Sequence, residues 1–129
     1  MRYTALVTVA AVLVYFSTSW RVGAARSRFK VRPPAISGDA DFERIFRVQM
    51  NTLEWMPIFL PLLWLFAFYV SDAGAAVLGL IWIAGRVHYM IGYSEAAKKR
   101  HLGFGIQAFT CGALLVGAVA GIIASFIRG

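Results

Sequence analysis

Apolar positions run in four long blocks. Tyr3 to Trp20 carries no charge, Phe42 to Val70 opens on charged residues and continues as PIFLPLLWLFAFYV, and Ala75 to Lys99 and Leu102 to Ile127 follow. Runs of this length predict membrane-crossing helices. At about 1.5 Å per residue the first block alone reaches roughly 27 Å, enough to span a hydrocarbon core. Between the first two blocks lies RVGAARSRFKVRPPAISGDAD, where Pro33-Pro34 and Ser37-Gly38 mark a loop and Asp39 or Asp41 is placed to cap the next helix. Ser71-Asp72-Ala73-Gly74 reads as a tight turn. Pro57 and Pro61 predict a kink or local distortion in the second helix, which neighbouring helices tolerate in a membrane. The expected fold is all-α, an integral membrane four-helix bundle in a single domain over the 129 residues.

Composition agrees with that expectation. Apolar residues make up 60%, charged residues 15%, and the mean hydropathy is +0.68, outside the range of soluble domains. Arg2, the apolar run and Val22-Gly23-Ala24 also fit a secretory signal with a cleavage site. Three further apolar blocks favour a retained first span. Cys111, the one cysteine, sits in the apolar run TCGALLVGAVAG. It forms no intramolecular disulfide or thiol metal cluster and reads as a small buried hydrophobe.

The net charge of +7 is one-sided. Arg21, Arg26, Arg28, Lys30 and Arg32 lie between the first and second blocks, and Lys98, Lys99 and Arg100 between the third and fourth. Arg2 and Arg128 are the cations of the other side, with none beside Asp72. The positive-inside rule then places both basic loops in the cytoplasm and both termini opposite. Contact with anionic headgroups explains such an arrangement; nucleic acid does not, because the cations flank spans instead of forming a soluble basic face.

Polar residues inside the spans are ordered by helical phase. At 100° per residue, Glu43, Arg44, Arg47, Asn51 and Glu54 fall within an arc of about 100°, and Arg86, Tyr89, Tyr93 and Arg100 within about 60°. Ionisable groups at membrane depth face a bundle interior or a wet cavity. Two readings fit the stripes. One is structural, with Glu43 pairing Arg47 on one helix and Arg86 bonding Glu54 between helices. The other is a ligand site, since the four arginines exceed the two carboxylates and call for an anionic partner. His88 lies off the arginine face without a second ligand at metal-binding spacing and reads as an interface residue; His101 reads as a solvated loop residue.

Three segments, AARSRFKVRPP, FERIFRVQMNTLEW and GRVHYMIGYSEAAKKR, together resemble the membrane-associated proteins in eicosanoid and glutathione metabolism, of the microsomal glutathione transferase and leukotriene C4 synthase type. The resemblance covers almost the whole chain. It implies a homotrimer of four-helix protomers, with glutathione as co-substrate held between neighbouring subunits near the cytoplasmic side. It further implies glutathione contacts at Arg26, Arg47, Gln49, Asn51, Glu54, Tyr89 and Tyr93, and a thiol-activating role for Arg100. Ser27 departs from members with a second consecutive arginine, and Trp55 from those with a tyrosine.

The implied activity is glutathione transfer to hydrophobic electrophiles, in the manner of detoxification, together with reduction of lipid hydroperoxides. Some members bind fatty acids without turnover, which is the alternative. A proton-coupled four-span exporter is disfavoured because Tyr3 to Trp20 holds no carboxylate.

Overall fold

The computed structural model describes residues 1–95 and 101–129, and of residues 94 and 95 the backbone alone. Four helices carry the chain: α1 (Arg2–Phe29), α2 (Ala40–Tyr69), α3 (Asp72–Glu95) and α4 (His101–Arg128). All four are long and apolar enough to cross a membrane. Helices α2 and α3 each pack against the other three.

Helix α1 runs well past Trp20. Nothing between Trp20 and Phe29 breaks it, and Val22 and Ala25 bury a stripe against Val31 and Phe42. It ends where Lys30 turns left-handed (φ 56°, ψ 43°) and the Val31 N–H donates back to the Arg26 carbonyl at 3.0 Å. The basic residues of this stretch are thus partly helical, not all in a loop.

Of the two capping aspartates, Asp39 is the N-cap of α2. Its carboxylate accepts from the Asp41 and Phe42 N–H groups at 2.9 and 3.1 Å. Asp41 pairs with Arg44 instead, three residues on. Pro57 and Pro61 lie inside α2, which stays helical from Ala40 to Tyr69.

The turn at Ser71 is shorter than its sequence suggests, because Asp72 already belongs to α3. The Ser71 Oγ accepts from the Gly74 N–H at 3.0 Å and so caps the helix start. The Asp72 side chain reaches across to α1, where its carboxylate accepts from the Thr4 N–H (2.9 Å), the Thr4 hydroxyl (2.6 Å) and the Tyr3 N–H (3.3 Å). Met1, the residue before α1, supplies no side-chain cap, so α3 caps α1.

The main core fills the half of the bundle nearer this turn. Phe59 and Trp82 stack at 4.0 Å and 7° among Val7, Ala11, Leu63, Ala75 and Leu114. Cys111 is buried in the same cluster. Large apolar side chains also point outward, Trp20, Phe109 and Phe126 among them, as expected of helices facing lipid or another subunit. Helices α3 and α4 come close where Gly85 and Gly103 meet. A Cβ on Gly103 would stand 2.6 Å from the Tyr89 backbone nitrogen and 2.7 Å from the Gly85 carbonyl oxygen, distances that exclude any side chain.

Candidate functional site

Away from the Asp72 end, α2, α3 and the start of α4 border an open cavity of about 400 Å³. Helix α2 contributes Arg47, Met50, Asn51 and Glu54, which recur every three or four residues and therefore share a face. Helix α3 adds Tyr89 and Tyr93, and α4 adds His101 and Phe104. Arg47 and Glu54 are solvent-accessible and make no hydrogen bond or ion pair among the described residues. The Asn51 Oδ1 is buried without a hydrogen-bond partner among them. These are groups set to receive something: a cation for a carboxylate, a carboxylate for an ammonium, and an amide oxygen for a donor.

Tyr89 and Tyr93 are nearly buried and stack on each other with centroids 5.4 Å apart and planes 6° from parallel. They form a flat wall. Val48 packs behind them. At another edge Phe104 meets Trp55 edge to face at 5.9 Å, so the cavity is bordered by aromatic as well as charged groups. Arg47 and Met50 also border a second, more apolar cavity of about 300 Å³ with Ile36, Ser37, Glu43 and Phe46.

The cavity therefore gathers five of the residues singled out in the sequence: Arg47, Asn51, Glu54, Tyr89 and Tyr93. Two others stand elsewhere in the chain. Arg26 donates to the Ala35 and Val31 carbonyl oxygens at 2.7 and 3.4 Å and lies over the Phe42 ring at 5.2 Å, bracing the loop between α1 and α2. The Gln49 amide donates to the Ser19 hydroxyl at 2.9 Å, linking α2 to α1. Arg100 lies outside the described residues. The structural pairings considered for the stripes are also absent among the described residues: Arg44 pairs with Asp41, while Arg86 meets no carboxylate.

Three lining residues escape sequence reasoning. His101 sits at the start of α4 and Phe104 one turn later, so both reach the cavity from one face; Met50 lies one residue from Asn51. The signal for His101 is its helical spacing from Phe104, which becomes visible only once α4 is known to start there.

The MAPEG family model matches residues 4–120 of the chain. Among similar proteins, an uncharacterized protein of Synechocystis sp. is 46% identical over 121 residues, covering 94% of this chain and 88% of that one. Microsomal glutathione S-transferase 2 of Mus musculus is 45% identical over 114 residues, covering 88% and 76%. Leukotriene C4 synthase of Bos taurus is 35% identical over 123 residues, covering 95% and 82%.

Proposed function

This chain belongs to the MAPEG family, and from that premise we propose that it is a membrane glutathione transferase that joins the glutathione thiolate to lipophilic electrophiles. The observation that carries the reading is the gathering of Arg47, Asn51, Glu54, Tyr89 and Tyr93 around one cavity. The similar proteins include a glutathione transferase and a leukotriene C4 synthase, which supports glutathione as the co-substrate.

The chemistry follows from the tripeptide. Glutathione carries two carboxylates, one ammonium and a thiol. Arg47 pairs with a carboxylate, Glu54 takes the ammonium, and Asn51 with the tyrosine hydroxyls orients the backbone. Arg100 stabilises the thiolate, the reactive form, whose proton passes to solvent. The thiolate sulfur then bonds the electrophilic carbon. With an aryl halide the carbon–halogen bond breaks and halide leaves; with an epoxide the ring C–O bond breaks and the alkoxide takes a proton. With a lipid hydroperoxide, two glutathiones are oxidised to the disulfide while the hydroperoxide is reduced to an alcohol and water.

We further propose that the protein works as a homotrimer embedded in membrane lipid, multi-pass, with the site facing the cytoplasm and both termini opposite. In that arrangement Arg26 and Gln49 of one subunit join the cavity of its neighbour. The location has a physical reason: a water-soluble thiol enters from the aqueous side and an electrophile from the bilayer, so reactants from two phases meet.

Glutathione binding and turnover by the purified protein decide the reading, with an aryl halide and a lipid hydroperoxide offered in turn. Conjugation of the first is expected. Binding without turnover of either substrate leaves a lipid-binding protein, and absence of glutathione binding overturns the site. Native mass spectrometry in detergent tests the trimer; a stable monomer that binds glutathione contradicts an intersubunit site.

A further inference from the structure

Arg86 is sealed inside the bundle. It is 0% exposed, and among the described residues its guanidinium nitrogens have no acceptor in hydrogen-bond geometry and no carboxylate pairs with it. A buried cation in this state is a liability for the fold, since desolvation is costly and no described group of opposite charge offsets it. What it does meet is an aromatic ring. The guanidinium carbon stands over Tyr89, 4.2 Å from the ring centroid, a contact that gains strength where water is excluded.

Tyr89 in turn stacks on Tyr93. Residues 86, 89 and 93 follow the spacing of one helix face, so α3 carries a column of guanidinium and two rings. One end of the column is enclosed in the protein and the other lines the cavity. The backbone beneath it has no slack, because Gly103 of α4 lies directly against the Tyr89 nitrogen.

We propose that Arg86 is a positioning residue for the ligand site: by holding the Tyr89 ring from the inside it fixes the tyrosine wall, and its charge behind that wall favours an anionic ligand. The ligand is taken as glutathione and so rests on the reading above. The arrangement couples burial to binding. An anion in the cavity offsets a charge that no described carboxylate compensates.

That coupling gives the proposal a sign that a merely structural role lacks. Arg86→Met fills similar volume without charge or planar face. It is expected to raise the glutathione Kd about tenfold or more, the equivalent of about 1.4 kcal/mol, with KM for glutathione rising more than kcat falls. The melting temperature of the ligand-free protein stays the same or increases. Near-ultraviolet circular dichroism of ligand-free protein, referenced to Tyr93→Phe, loses the signal of the stacked tyrosines. Arg86→Lys keeps the charge without the planar face and recovers part of the affinity but not that signal.

A Met variant with Kd within about twofold of wild type, or with the tyrosine signal intact, overturns the proposal. So does a lower melting temperature with unchanged affinity. Should the Met variant fail to fold, the Lys variant decides alone: weakened binding with a lost signal supports the proposal, and wild-type values for either overturn it. A wild type that binds no glutathione defeats the functional reading instead, and the tyrosine signal alone then decides whether Arg86 holds the wall.

Discussion

The two ends of the bundle treat polar groups in opposite ways. Around the start of α1, at the Asp72 end, they are satisfied within the protein: Asp72 caps α1 through Thr4 and Tyr3, the Thr8 hydroxyl donates to the Thr4 carbonyl, and the Trp64 indole N–H donates to Thr8 at 3.1 Å. At the cavity end Arg47 and Glu54 stand accessible, and the Asn51 oxygen and the Arg86 guanidinium are buried without hydrogen bonds among the described residues. A polar group whose valences are filled inside the chain contributes to folding; one left open in a cavity is available to a ligand. The accessible charges that line the cavity, Arg47 and Glu54, therefore mark it as the candidate site.

The sharpest way to break this comparison is to remove a cation from the cavity end. Arg47→Ala is expected to weaken glutathione binding by roughly 2 to 4 kcal/mol, the scale for truncating one partner of a charge pair that the bound ligand buries, with little change in melting temperature. Calorimetric affinities equal to wild type would show that the open arginine is not a ligand group.

Next in size is Arg100→Ala, which separates chemistry from binding at the same end. A free thiol of pKa about 8.5 is mostly protonated at neutral pH, and a cation at hydrogen-bond distance lowers that value by about one unit or more. The thiolate of bound glutathione should therefore fall about tenfold at pH 7 in the variant, and kcat with it, while affinity changes less. Ultraviolet thiolate absorbance followed against pH in both proteins measures the effect; coincident titrations remove Arg100 from the role.

Asp72→Ala examines the opposite end. Losing the cap on α1 should lower the melting temperature by a few degrees and leave glutathione affinity as it was. A change in affinity with unchanged stability would reverse the assignment of the two ends. The smallest effect belongs to Lys98→Ala, a change in a basic segment read as a topology signal. Stability, affinity and kcat should all stay at wild-type values, and a loss of affinity comparable to that of Arg47→Ala would mean the ligand site extends into that segment.

Much of this was legible in the sequence because two quantities are local. Apolar length sets whether a segment crosses a membrane, and the four helices follow from it. Helical phase sets which residues share a face, so Arg47 with Asn51 and Glu54, and Arg86 with Tyr89 and Tyr93, could be grouped before any fold was known. The fit of Asp39 to the start of α2 is likewise a matter of residues a few positions apart.

What the tertiary structure decided is where each face points and what it meets. Phase cannot tell that Arg86 turns inward to a sealed position while Arg47 opens on the cavity, because the rotation of a helix about its own axis is set by its neighbours. Here the close approach of Gly85 and Gly103 brings α4 against α3 at Tyr89 and, with it, His101 and Phe104 to the site. Nor does the sequence show that Asp72 serves α1 across 68 residues, or that Arg26 is occupied by the Ala35 carbonyl. Those partners are distant in the chain or set by a loop's path, and contacts of that kind exist only once the helices have packed.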